Sequence, residues 1–279
     1  RVKAKMNFRL TKNKLLILVV LTCGILFGAA SGVLVALTRD LPQIRDLESF
    51  KPSAVTRIYS ADNILLSEHF IEKRDPIPLN NIPDILIKAI LATEDQSFYR
   101  HSGVDMKGIL RAIYKDIRAK KIVEGASTIT QQLAKTLFLT HQKTLVRKLK
   151  EVILAFQLER RYTKNEILEL YLNQVYFGSG AYGVKAAGRT FFDKSLESLT
   201  ISESALLAGM PKSPSRFSPL INKELAIKRR NTVLRQMVNS RIITKDEYKK
   251  ALSEPLQLVE SRGRPAKAPY LVQYVLNIL

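Results

Sequence analysis

A run of two acids, a histidine and two aromatic residues is the part of this sequence best suited to chemistry. It covers Glu94 to Gly103 and follows the apolar helical stretch Ile90-Leu91-Ala92. A carboxylate at such a helix end can face a cleft, where partial desolvation raises its pKa towards neutral pH. Glu94 is therefore the candidate general base, although a lone glutamate at a helix end is more often only a solvated side chain. His101 is interpreted as structural, holding the loop after Phe98 by hydrogen bonds.

A second acid lies among cations about fifty residues further on. Glu151 follows Arg147 by four residues and Lys148 by three, so a helix places the three side chains on one face. Cations at this distance should keep the carboxylate ionised. The simple interpretation is a surface salt bridge, worth a few tenths of a kcal/mol. With Lys135 and Lys143 nearby in the sequence, the same set could instead bind two phosphates.

Hydroxyl and amide side chains fill the segment between the two acids. The run Gly125 to Lys135 contains Ser127, Thr128, Gln131 and Gln132 where a helix begins. Free backbone N–H groups at a helix N-terminus favour anions, so these residues suit phosphate or sugar hydroxyls. Ser127 would also be expected there simply as the helix cap.

A long apolar run precedes these segments. Leu15 to Leu37 is about 23 residues, which at about 1.5 Å per residue can cross a hydrocarbon core of about 30 Å. It predicts a transmembrane helix over 15–38 rather than a cleaved signal peptide, whose apolar region would be about 7 to 15 residues. The tail 1–14 has six basic residues and no acid, which predicts a cytoplasmic N-terminus and a domain outside the cytoplasmic membrane.

The net charge and the cysteine count limit the partners and cross-links that this chain can have. The net charge is +20, but a domain outside the membrane is not expected to meet nucleic acid, so anionic membrane lipids and lipid diphosphates are the better partners. The single cysteine, Cys23, lies in the apolar run, which rules out an intramolecular disulfide. No histidine and carboxylate spacing indicates a zinc site.

Helical patterns dominate the part of the chain that follows. Short β-prone runs at Val55 to Tyr59 and Leu65 to Phe70 predict one hairpin, and Arg111 to Glu124 is predicted to be a flexible flap because it has few large apolar residues. Helix starts are marked by candidate caps at Asp84 and Ser127 and by capping boxes, which pair Thr163 with Glu166, Thr200 with Glu203 and Thr244 with Glu247.

Five ordered segments together resemble the signature motifs of a known enzyme family. They are the three segments above, Glu166 to Gly183, and Glu203 to Pro219. In this order and spacing they resemble the peptidoglycan glycosyltransferases of family 51, which occur alone or as the first catalytic domain of class A penicillin-binding proteins. The resemblance covers the chain from about Leu41 to its end.

The resemblance implies a mainly α fold. The expected domain is a lysozyme-like helical glycosyltransferase domain with a small β-hairpin, preceded by one transmembrane helix. The expected organisation is a basic tail (1–14), a transmembrane helix (15–38), a linker with the hairpin (39–82), the glycosyltransferase domain (83–260) and a second linker (261–279). In bifunctional relatives such a linker leads to a transpeptidase domain, but no serine here is followed three residues later by lysine. A truncated bifunctional protein and a natural single-activity form both stay open.

The resemblance also implies roles for individual residues. Glu94 takes the place of the general base, and Glu151 would position a leaving diphosphate, either through a divalent cation such as Mg²⁺ or Mn²⁺ or by orienting the neighbouring cations; no cofactor is obligatory. The implied substrate contacts are Asp95, Phe98, Ser127, Thr128, Gln131, Gln132, Lys135, Lys143, Arg147 and Lys148.

The implied reaction is the polymerisation of glycan strands from lipid II, with inversion and with release of undecaprenyl pyrophosphate. The expected partners are lipid II, the growing glycan strand, membrane lipids and other cell-wall synthesis proteins. Two other functions stay open, a lysozyme-like lytic enzyme and a catalytically silent membrane scaffold. A lytic enzyme has no need of a diphosphate clamp, so the basic cluster argues against it.

Overall fold

The computed structural model describes residues 12–39, 41, 56–62, 65–69, 73–119, 125–139 and 144–259. Predictions that fall wholly or partly outside them are those for the basic tail, the linker 39–82, the segment 111–124, Lys143 and the linker 261–279. The described residues are mainly helical, which confirms the predicted fold class. The helices are α1 Lys12–Arg39, α2 Asp84–Glu94, α3 Met106–Ala119, α4 Ile129–Phe138, α5 Leu145–Arg161, α6 Lys164–Gln174, α7 Val184–Phe192, α8 Ile201–Gly209, α9 Pro214–Phe217, α10 Lys223–Asn239 and α11 Lys245–Ser253.

Two small sheets accompany the helices. β1 (Thr56–Tyr59) and β2 (Leu65–His69) pair antiparallel, which confirms the predicted hairpin. A second sheet, not foreseen, has the order β3-β5-β4, where β3 is Lys73–Arg74, β4 is Tyr176–Gly178 and β5 is Ala181–Tyr182. Its parallel β3–β5 pairing connects the segment before α2 to the turn after α6.

The core forms around α8, which packs against α2 and α10. Every residue from Ser202 to Gly209 is buried, so this helix has no solvent-facing side. Its small side chains allow the neighbouring helices to approach closely. The one charged residue in this stretch, Glu203, pairs with Lys194 at 2.7 Å, which meets the requirement that a buried charge be compensated.

The three capping boxes lie where the sequence predicts them, but two other predicted helix caps are wrong. All three predicted capping boxes, at Thr163, Thr200 and Thr244, are confirmed. Asp84 is not a cap, because Pro83 occupies that position and the Asp84 carboxylate accepts from Lys88 one turn later. Ser127 is not a cap either: Thr128 takes that place, and the Ser127 hydroxyl accepts a hydrogen bond from another helix.

Two further predictions concern the first and third helices. Over the residues the structure describes, no helix combines the length and the apolar character needed to cross a membrane, so the span predicted for 15–38 is not confirmed. Residues 111–119 of the segment predicted to be a flap belong to α3, and its mobility stays a prediction. Residues 120–124 lie outside the described residues.

Candidate active site

One cavity of about 880 Å³ collects most of the predicted site residues. It lies between the end of α2, α3, the start of α4, the first turns of α5, the loop after α8 and one face of α10. Nine of the predicted residues line it: Glu94, Asp95, Ser127, Thr128, Gln132, Lys135, Arg147, Lys148 and Glu151. The chain brings them together because α4 packs against both α5 and α6 and α2 packs against α8.

Two residues expected to contact substrate have other positions. The Phe98 side chain is 1% exposed and packs in the hydrophobic core, with the Lys164 ammonium 4.5 Å from its ring centre. Gln131 is buried in a capping box, where its Oε1 accepts from the Thr128 backbone N–H at 3.0 Å. Neither lines the cavity. The structure therefore gives these two side chains packing and capping roles rather than a surface for substrate.

Glu94 ends α2 and reaches into the cavity from a largely buried position. Its side chain is 8% exposed, and its Oε2 accepts a hydrogen bond from Gln132 Nε2 at 2.9 Å. Burial raises the pKa of Glu94, while Gln132 and the nearby cations oppose part of this rise. This is the direction that the sequence led us to expect. At neutral pH such a carboxylate is a stronger base than a solvated glutamate.

Asp95, the next residue, fixes the local backbone. Its carboxylate contacts His101 Nε2 at 3.0 Å and accepts from the Ile129 backbone N–H at 3.0 Å. Because that N–H belongs to the first turn of α4, the anion also interacts favourably with the helix dipole. The Thr128 hydroxyl donates to the Gly103 carbonyl at 2.6 Å. These bonds hold the loop after α2 against the start of α4, and His101 has the structural position expected for it.

Glu151 lies at the opposite end of the cavity in a cationic setting. Its side chain is 3% exposed, with Lys148 Nζ 2.5 Å from Oε1 and Arg147 3.5 Å from Oε2. Lys148 also donates to the Ser127 hydroxyl at 2.9 Å, which connects α5 to the start of α4. Arg147 Nε is buried and makes no hydrogen bond within the described part of the chain.

Several cavity residues carried no signal in the sequence. Arg229, Thr232 and Gln236 line the cavity from α10, and Lys212 lines it from the loop after α8. The three α10 residues follow the i, i+3, i+7 spacing of one helix face, but polar residues at this spacing are normally a solvated surface. Only the packing of α10 against α2 turns that face towards Glu94.

The residues around Glu151 do not form a metal site by themselves. Both carboxylate oxygens already face cations, and the described residues contain no group of three or more histidine, cysteine, aspartate or glutamate side chains that could hold a metal ion. Divalent cations prefer several oxygen ligands, whereas the neighbours here are nitrogen cations.

The helical fold thus holds, in one cavity, one largely buried carboxylate of raised pKa and one carboxylate set among cations. The transglycosylase family model matches residues 62–238 of the chain. The chain belongs to this transglycosylase family. The match confirms the family predicted from the five motifs.

The similar proteins include several penicillin-binding proteins 1A. The chain is 44% identical to that of Aquifex aeolicus (strain VF5) over 242 residues, covering 86% of this chain and 33% of the relative. It is 42% identical to that of Escherichia coli (strain K12) over 261 residues, covering 92% and 31%. The chain therefore spans about a third of the length of these relatives. The crystal structure of the Haemophilus influenzae penicillin-binding protein 1A matches with a TM-score of 0.49 and 28% identity, covering 82% of this chain and 24% of that one.

Proposed function

We propose that this transglycosylase polymerises peptidoglycan glycan strands from lipid II. The observation that carries the proposal is the pairing, in one cavity, of a buried carboxylate of raised pKa with a cation cluster suited to a diphosphate. The two substrates present the matching groups: lipid II, as acceptor, has the sugar hydroxyl that must lose a proton, and the growing lipid-linked strand, as donor, has the diphosphate that must leave. The helical region within 83–260 would carry this activity.

The acceptor is activated by Glu94 in this proposal. Its carboxylate takes the proton from the 4-hydroxyl of the N-acetylglucosamine of lipid II, and the resulting oxygen attacks the anomeric carbon of the growing strand. A new glycosidic bond forms on the face opposite the departing group, so the configuration inverts and a β-1,4 bond results. The raised pKa supports this role because a general base is most effective when its pKa lies near the working pH.

The leaving group departs at the Glu151 end. As the bond to the anomeric carbon breaks, the electron pair stays on the diphosphate of undecaprenyl pyrophosphate. Lys148, Arg147 and Lys135, which all line the cavity, would balance this growing negative charge. Prearranged cations at the position where charge develops often supply the largest catalytic contribution. Glu151 fixes the orientation of Lys148 and Arg147.

The substrate's lipid tail implies that the enzyme works at a membrane. We propose anchoring in the cytoplasmic membrane through the apolar N-terminal segment, with the N-terminus in the cytoplasm. Leu16, Ile25 and Phe27 of α1 are 65%, 71% and 76% exposed, which leaves an apolar surface to be covered. Anionic lipids and other cell-wall synthesis proteins are the further partners proposed for this basic chain.

The amphipathic helix α3 offers a second contact with the membrane. Its exposed apolar side chains follow one helix face, while Arg111 and Lys115 lie at the cavity. A helix with this pattern suits the boundary between headgroups and acyl chains. Its position beside the cavity would let the substrate's tail remain in the bilayer. The exposed residues are Met106, Leu110, Ile113, Tyr114 and Ile117.

Labelled lipid II tests the proposal directly. The detergent-solubilised protein should convert it to a polymer that a muramidase cleaves, and NMR of the product should show β configuration at the new bonds. Shortening of pre-made glycan without polymerisation would indicate a lytic enzyme. No change in either substrate would indicate a silent scaffold. Either of these two results would overturn the proposed function.

A further inference from the structure

The side chain of Arg229 on α10 is held in place by contacts on three sides. Its Nε donates to the Gly209 carbonyl at 2.9 Å, and its guanidinium carbon lies 5.6 Å from the centre of the Phe217 ring. Its terminal nitrogen is 3.9 Å from Glu94 Oε1, and the side chain is only 11% exposed. The guanidinium is thus held by a carbonyl and an aromatic face, with its outer end directed at the candidate base.

This arrangement of Arg229 depends on the absence of a side chain at Gly209. A Cβ atom there would lie 2.8 Å from Arg229 Cγ and 3.3 Å from Val233 Cγ2. Since Cγ is close to the α10 backbone, it cannot move aside as the end of a flexible chain would. The close contact between α8 and α10 therefore requires glycine at this position, and it brings the guanidinium to Glu94.

The distance of 3.9 Å decides what Arg229 can do. It is too long for a hydrogen bond but short enough for a strong charge interaction in a partly buried site. Gln132 already donates to Oε2 of the same carboxylate. Oε1 therefore faces a positive charge and, among the described residues, accepts no hydrogen bond, as suits the oxygen that takes up a proton.

We propose that Arg229 is a positioning residue that keeps Glu94 ionised and aims its Oε1 at the acceptor hydroxyl. The role rests on the proposed function, because it assumes that Glu94 is the base. Arg229 acts through Glu94 and not by holding the diphosphate, which the Glu151 end receives.

Other titratable groups also lie near Glu94, and some of them favour its charged form. Lys212 in the loop after α8 and Lys135 on α4 favour the carboxylate, though less than Arg229 does. Tyr171 on α6 is buried beside it with its hydroxyl donating to Gln132 Oε1 at 3.2 Å, and Asp95 lies next in the chain. Burial lowers the pKa of Arg229 while the charge of Glu94 raises it, as expected for a mutually stabilised pair.

The test substitutes Arg229→Gln, which keeps a donor for the Gly209 carbonyl but removes the charge. Two quantities are measured: the pH dependence of kcat/KM with lipid II, and the titration of Glu94 by NMR on protein with ¹³C-labelled glutamate carboxyls, assigned with Glu94→Gln. Arg229→Met replaces Arg229→Gln if the latter does not fold, and Arg229→Lys tests rescue by charge. Arg235→Met, an exposed arginine on the same helix, is the matched control.

The expected result is a pKa of Glu94 higher by about one unit, since an opposite charge at this distance lowers a carboxyl pKa by about one unit or more. The acidic limb of the rate profile should move up equally. Activity near that limb should fall about tenfold and recover at higher pH, with partial rescue by Arg229→Lys and no shift in Arg235→Met.

Two outcomes would overturn the role. An unchanged Glu94 titration with an equal loss of activity at every pH would show that Arg229 only supports packing. An unchanged titration with a higher KM alone would show that it contacts substrate. The NMR readout needs no turnover, so a wild-type protein that fails to polymerise lipid II would refute the proposed function while the titration still decides the Arg229–Glu94 coupling.

Discussion

The two ends of the cavity hold their glutamates in opposite ways. Glu94 is buried against the neutral amide of Gln132 with its nearest cation 3.9 Å away, and burial raises its pKa. Glu151 is more deeply buried, with its side chain 3% exposed against 8% for Glu94, and has Lys148 at 2.5 Å and Arg147 at 3.5 Å. The same side chain thus contacts a neutral amide at one end and two cations at the other.

This difference shows that the surrounding helices, rather than residue type, assign the two roles. The Glu94 end is built by α2, α4 and α10, where the hydrogen bond to the carboxylate comes from the neutral amide of Gln132 and the Arg229 guanidinium is 3.9 Å away. The Glu151 end lies on one face of α5, where cations three and four residues earlier are unavoidable neighbours. Separate roles for two carboxylates follow from environments that treat their charges differently.

The largest effect is expected from Glu94→Gln, which tests whether this glutamate, and not Glu151, is the base. We expect polymerisation to fall by about 100- to 10,000-fold, because the base is lost while shape and hydrogen-bonding capacity remain. Lipid II binding should change little. Turnover and binding of labelled lipid II measure the two effects, and a mutant that keeps more than about a tenth of wild-type turnover would show that Glu94 is not the base.

Loss of a cation at the other end should have a smaller effect. Lys148→Met and Lys135→Met keep most of the side-chain length but remove the charge, and we expect kcat to fall about 10- to 150-fold, as the loss of a charge-assisted contact of about 1.5 to 3 kcal/mol predicts. Substrate binding should weaken less, since the charge on the diphosphate grows in the transition state. Lys249→Met, at an exposed position on α11, is the control and should change activity by less than about twofold. Equal, small effects at all three lysines would mean that the cluster is only a solvated face.

Ser127→Ala tests whether the two ends of the cavity act separately, because it removes one neutral partner of Lys148. Loss of that hydrogen bond, worth about 0.5 to 1.5 kcal/mol, should lower kcat/KM about 2- to 13-fold. The loss should be the same at every pH, since the acidic limb belongs to the Glu94 end. In the wild type, the rate should fall as pH drops through the raised pKa of Glu94, which must be deprotonated to act. A shift of that limb in Ser127→Ala would contradict the separation of the two ends.

The smallest effect on chemistry should come from α3. Replacing Leu110 and Ile117 by serine removes two exposed apolar side chains, so binding to anionic vesicles should weaken, by about tenfold if each side chain loses part of its burial of about 1.5 to 3 kcal/mol. Polymerisation in detergent should change by less than about twofold. Serine at Lys107, another exposed position on α3, allows comparison with loss of charge alone. Unchanged vesicle binding of the double variant would rule out this face as a membrane contact.

The sequence by itself determined the local features of the protein. Capping boxes at Thr163, Thr200 and Thr244 depend on residues three positions apart, and the hairpin depends on two adjacent β-prone runs, so each could be predicted from neighbouring residues. The grouping of Arg147, Lys148 and Glu151 likewise follows from helical spacing alone. The motif order identified the family, although it could not separate residues that line the cavity from those that support it.

Only the tertiary structure decided which side chains meet across helices. Phe98 and Gln131 lie inside matching motifs, yet one fills the core and the other caps α4. Arg229 lies 135 positions after Glu94 in a helix with no recognisable motif, and it reaches the carboxylate because Gly209 lets α8 and α10 pack closely. The charge state of a buried carboxyl depends on groups such as this that are distant in the chain, so sequence spacing cannot supply it.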